Sequence, residues 1–187
     1  MAEMNDKEKA EHQKLLNWVY IEAAAAAVVI GVVYYAANLI PLDIETVQTP
    51  CDRLVFALRW LFVSSLPIVF AIFGVLNVRG NTKAIDPIKG GAENLVELPN
   101  RILRNTIEQF SLHAVGVLAL TTYLDERSMS NIRALVALFF LGRILFAMGY
   151  KSSPINRGFG FGITFMPTLV TYGYVLYKFV TTYILGF

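Results

Sequence analysis

The sequence predicts an all-α integral membrane protein with five transmembrane helices. Three observations carry this. Hydrophobic residues make up 56% of the 187-residue chain. Charged residues make up only 16%, where a soluble domain carries roughly a quarter. Apolar runs long enough to cross a bilayer, which takes about 20 residues, recur along the whole chain. The length fits one domain. A net charge of +2 gives no basis for nucleic-acid binding.

The first helix is expected over 16–40, with an alanine run at 23–27 and a stop at Pro41. The mixed-charge lead-in 1–15 is read as a soluble segment and not a secretory signal, because the apolar run behind it is too long for a signal core. The second helix is expected over 54–78, the third over 101–124, the fourth over 131–150 and the fifth over 159–185. Pro167 lies inside the fifth, where a membrane helix tolerates a kink. The polar connection 79–100 contains Gly80, Pro87, Gly90, Gly91 and Pro99 and reads as a loop with a role of its own. Cys51 is the single cysteine, which excludes an intrachain disulfide and a cysteine-based metal site. His12 and His113 lie too far apart in sequence to suggest zinc.

Lysine and arginine set the expected orientation. One side collects Lys7, Lys9 and Lys14, then Arg79, Lys83 and Lys89, then Lys151 and Arg157. The other side holds Asp43 and Glu45 with Arg53, and Arg127 beside Asp125 and Glu126. The richer side is assigned to the cytosol. The N-terminus is then cytosolic and the C-terminus lumenal or extracellular.

The stretch RILRNTIEQF, 101–110, opens the third helix with charges where apolar residues are expected. Arg101, Asn105 and Glu108 are spaced i, i+4, i+7 and share one helical face, and Arg104 on its edge is expected to pair i, i+4 with Glu108. Glu108 lies about 10 Å below the surface at 1.5 Å per residue. Arg143 on the fourth helix lies at a similar depth. An isolated charge there costs roughly 2.5 kcal/mol or more, so a Glu108–Arg143 pair facing the bundle interior is expected. Interhelical packing would explain one such pair. A cluster of Arg101, Arg104, Asn105, Glu108 and Arg143, rimmed by Arg79 and Arg157, carries surplus positive charge suited to an anionic ligand. Other positions have plainer readings. Glu22 faces a partner or snorkels, Arg53 and Arg59 snorkel to headgroups, and His113 packs. Tyr172, Tyr174, Tyr177 and Tyr183 serve helix packing and the interface belts.

RILRNTIEQF together with GRILFAMGYKSSPINRGF resembles the MAPEG family, the membrane-associated proteins in eicosanoid and glutathione metabolism. The family's Arg-x3-Asn-x2-Glu pattern falls on Arg101, Asn105 and Glu108. Its arginine, Gly–Tyr pair and final arginine fall on Arg143, Gly149–Tyr150 and Arg157. The resemblance covers 54–185 and implies a MAPEG-like four-helix transmembrane domain, 54–187, preceded by one additional transmembrane helix, as in the mattrin-like branch. It implies glutathione as bound thiol co-substrate, held by Arg79, Arg101, Asn105, Glu108, Arg143 and Tyr150. Arg157 would be the catalytic group that stabilises the thiolate. It further implies a homotrimer, a lipophilic electrophile or peroxide as second substrate, and residence in the endoplasmic reticulum or Golgi. The chain departs from the pattern where eicosanoid-type members carry tyrosines. Gln109 and Phe146 stand there, and the 79–100 loop matches poorly. Those departures, with the extra helix, keep a non-catalytic role in trafficking, secretion or regulation of other membrane proteins as the alternative.

Overall fold

A computed structural model describes residues 5–42, 44–88, 91–153 and 155–186. Asp43, Lys89 and Gly90, which entered the charge and loop readings, lie outside these. Five α-helices account for the described fold: α1 Asp6–Leu39, α2 Pro50–Asn81, α3 Glu97–Thr121, α4 Ser130–Ser152 and α5 Arg157–Phe179, which runs into a π-helical turn at Val180–Ile184.

Two helix starts are fixed by reciprocal capping. Asn5 accepts from the Glu8 amide while the Glu8 carboxylate accepts from the Asn5 amide, so α1 begins well before residue 16. Thr49 and Asp52 repeat the arrangement at α2, with Pro50 in the first turn where a missing N–H costs nothing. Pro99 likewise sits in the first turn of α3, which lets that helix start at Glu97. Pro67 in α2 and Pro167 in α5 are both buried inside their helices. The 79–100 connection is only partly irregular, with 3₁₀ turns at Lys83–Ile85 and Glu93–Val96.

At 1.5 Å per residue α1 is about 50 Å long, more than the ~30 Å hydrocarbon core, so part of it projects beyond a bilayer. Four helical segments are long and apolar enough to cross a membrane: Asp6–Leu39, Pro50–Asn81, Arg127–Ser152 and Arg157–Ile184. α3 owes its lower hydropathy to Glu97, Arg101, Arg104 and Glu108, and its buried stripe of Ile102, Thr106, Gln109, His113 and Val117 seats it within the bundle. Val28, Phe62, Phe73, Val170 and Leu176 stay exposed on the outer faces, where lipid would cover them. The chain is a multi-pass membrane protein.

The helices alternate in direction. We call the end where α1, α3 and α5 begin the near end, and the opposite one the far end. The far-end core packs Val47, Ala57, Leu61, Val117, Leu120, Met129, Ile132 and Leu135. Arg53 is tied down there instead of snorkelling: it donates to the Gln48 carbonyl at 2.9 Å and lies 3.6 Å from Glu126. α4 and α5 pack so closely that a methyl on Gly160 would overlap the Phe146 backbone. α1 lies against α4 and α5. Ala26 packs with Leu138 and Ile163, and Ser130 donates to Asn38 at 2.7 Å. Arg133 donates to the Ala37, Ile40 and Pro41 carbonyls at 2.7–3.2 Å, satisfying the acceptors that a helix C-terminus leaves open.

Candidate functional site

α3, α4 and the first turns of α5 converge at the near end around a recess of ≈ 370 Å³. α3 contributes Arg101, Arg104, Asn105 and Glu108, about one turn apart along a face beside its buried stripe. α4 contributes Phe146 and Tyr150, and α5 contributes Arg157, Gly158 and Phe161. Gly149 lets the chain turn here, since a methyl on it would overlap the Asn156 carbonyl where the α4–α5 connection passes.

Tyr150 is the meeting point. The Arg157 guanidinium lies 4.8 Å from its ring centroid, and Arg101 and Arg157 both stand near its hydroxyl. Arg101 also pairs with Glu97 one turn back. Arg104 and Glu108 have no ion-pair partner among the described residues, and both are exposed. The recess thus offers guanidinium groups to carboxylates and a free carboxylate to a cation.

The expected Glu108–Arg143 pair does not form. Arg143 is 2% exposed and donates to Asn105 Oδ1 at 2.8 Å and Thr164 Oγ1 at 2.7 Å. Its guanidinium lies 4.5 Å from the Phe146 ring centroid, and its Nε has no partner. The two helices do bring this level of α3 beside Arg143, but it is Asn105 and not Glu108 that meets the guanidinium. Arg143 instead lines a second, more apolar groove of ≈ 430 Å³ between α2, α3 and α4, with Pro67, Phe70, Ile144 and Lys151. Arg143 therefore acts on the recess through Asn105, which it orients.

Arg79 also lies outside the recess. It holds Glu93 in a two-pronged contact at 2.9 and 3.0 Å and donates to the Ala84 carbonyl at 2.7 Å, pinning the 79–100 connection to the end of α2. Of the two departures, Phe146 lines the recess with a ring that carries no hydroxyl, and Gln109 turns into the core with Oε1 unpartnered. His113 is a packed histidine. Its Nε2 meets Ser64 Oγ at 3.1 Å, and its ring stacks on Phe139 at 4.4 Å. Among the described residues no cluster of His, Cys, Asp or Glu could hold a metal ion. The sequence reading missed Thr164, Gly158 and Phe161. The threonines at 164, 168 and 171 share one face of α5 and were the available signal, since a polar stripe on a membrane helix faces protein.

The profile of the MAPEG family matches residues 57–177. Transmembrane protein 79 of Mus musculus is 26% identical over 162 residues, which cover 82% of this chain and 41% of that protein. Transmembrane protein 79 of Bos taurus is 28% identical over 140 residues, 73% of this chain and 34% of that protein. The chain thus spans less than half the length of these relatives. No solved structure matches it.

Proposed function

The chain belongs to the MAPEG family, and from that premise we propose that its near-end recess binds glutathione. The observation that carries this is the convergence of Arg101 and Arg157 on Tyr150, beside an unpaired Arg104 and an unpaired Glu108. Glutathione has two carboxylates and one ammonium. Guanidinium forks suit the first and a free carboxylate the second. A volume of ≈ 370 Å³ falls within the range of small-molecule sites, roughly 300–1,000 Å³. Arg157 stands at the first turn of α5, where its charge and the helix N-terminus would together favour a thiolate. The thiol would then attack or reduce a lipophilic electrophile or peroxide arriving from the bilayer. The near end is cytosolic in this reading, the membrane that of the endoplasmic reticulum or Golgi, and the assembly a homotrimer.

A second reading keeps the same site without turnover. Phe146 and Gln109 offer no hydroxyl to a ligand, Arg79 is engaged by Glu93, and α1 is an integral fifth helix. These features favour a mattrin-like scaffold that acts in trafficking, secretion or regulation of other membrane proteins.

Thiolate absorbance of glutathione bound to detergent-purified protein separates the two. With the first reading the thiolate appears near neutral pH, and Arg157→Ala loses it while binding persists. An unchanged thiolate signal in Arg157→Ala removes that residue from the role. Binding without any thiolate favours the scaffold.

A further inference from the structure

α1 brings a carboxylate to the back of the recess. Glu22 is only 7% exposed, and its Oε2 has no hydrogen-bond partner. That oxygen lies against Gly158, so closely that a methyl there would overlap it. Gly158 is itself part of the recess wall and follows Arg157 in the chain. A buried carboxylate is expensive without compensation, and the positive end of a helix dipole supplies some. The first turn of α5, which begins at Arg157, is the positive helix end at this place.

The position is held from elsewhere. Four residues on, Ala26 packs fully buried against Leu138 and Ile163. Arg133 and Ser130 anchor the far end of α1. The backbone that carries Glu22 is therefore held against α5 by a packed helix.

We propose that Glu22 is the counter-charge of the recess, a residue that sets which ligands the site prefers. The inference rests on the recess being the ligand site. Without α1, the arginines at 101, 104 and 157 face Glu108 in the recess and Glu97 at its edge. Glu22, behind Gly158, adds a third carboxylate to set against the three guanidinium groups. The extra helix thereby weakens the pull of Arg157 on an anion, and the site favours zwitterionic ligands over multiply charged anions. Gly158 is the thin point of the wall through which this charge acts.

A cysteine placed on the recess wall reads the local potential without any added ligand. The 187-residue chain with Cys51→Ser and Phe161→Cys carries one thiol, whose pKa follows from the pH dependence of its alkylation. Adding Glu22→Gln should lower that pKa by about one pH unit, the size expected for a charge roughly 10 Å away in a medium of intermediate dielectric. Glu22→Asp, which keeps the charge, should leave it near the parent value. Phe146→Cys on the facing wall gives a second probe position if the first variant folds poorly. A thiol pKa that Glu22→Gln leaves unchanged, at either probe, overturns the proposal. So does a pKa that moves as far in Glu22→Asp as in Glu22→Gln. Glutathione calorimetry on the same Glu22→Gln protein tests the ligand separately. A lowered thiol pKa with no glutathione binding would keep the counter-charge and discard glutathione.

Discussion

Arg143 shows how a charge is kept inside this bundle. Its guanidinium meets an amide oxygen, a hydroxyl and a ring face, and a hydrogen bond from a charged donor contributes about 1.5–3 kcal/mol. Arg143→Ala should therefore lower stability by roughly 3 kcal/mol, through lost contacts and the space left behind. Arg143→Lys should recover only part, since one ammonium cannot fork between Asn105 and Thr164. Denaturation in detergent checks both. A loss under about 1 kcal/mol in Arg143→Ala would show that the two contacts carry little net energy. Spacing and topology make the depth of Arg143 legible in the sequence. They do not make its partner legible, because helical azimuth depends on how α3 is rotated against α4. Glu108 and Asn105 are less than one turn apart, and that rotation decides which of them meets the guanidinium.

At the scale of elements, α1 is secured mostly by α4 and α5. Arg133 binds three carbonyls at its C-terminus, so Arg133→Ala should loosen the last turn of α1 while leaving the near-end recess in place. Hydrogen exchange should quicken by about tenfold over 36–40 if roughly 1.4 kcal/mol of local stability is lost, and not over 101–108. Exchange unchanged in both segments would mean the carbonyls are satisfied without Arg133. Four of the helices are visible as long apolar runs and α3 as a shorter one with a charged start, but their ends are not. Hydropathy marks the stretch suited to hydrocarbon, whereas Asn5–Glu8 and Thr49–Asp52 mark where hydrogen bonding begins. Both capping boxes stand in the sequence, and reading them would have lengthened α1 and α2. Pro67 escapes notice because the apolar run continues through it.

For the whole molecule, the proposed topology has α3 crossing with the four apolar helices, which would put the two chain ends on opposite faces of the membrane. Cys51 lies exposed at the far end and serves as a natural marker. In sealed vesicles with the cytosolic face outward, an impermeant maleimide should leave Cys51 unlabelled and should label a cysteine introduced at Lys9. Reversed labelling would invert the proposed orientation. The family is legible from the Arg101–Asn105–Glu108 spacing combined with the Gly149–Tyr150 and Arg157 block, and the profile match over 57–177 bears that out. Arg79 is not legible in the same way. Its side chain is taken up by Glu93, fourteen residues on, through a loop whose folding spacing alone does not reveal.

Whether the near-end recess holds glutathione decides the first of the two proposed readings. The most direct test is calorimetry of glutathione binding to the detergent-purified protein, with Arg101→Ala and Glu108→Gln alongside. A glutathione site should give saturable binding that each substitution weakens by about tenfold, the cost of losing one charge-assisted contact. An absence of saturable heat, or binding untouched by both substitutions, would contradict it and leave the cluster of charges to another ligand or to the packing of the helices.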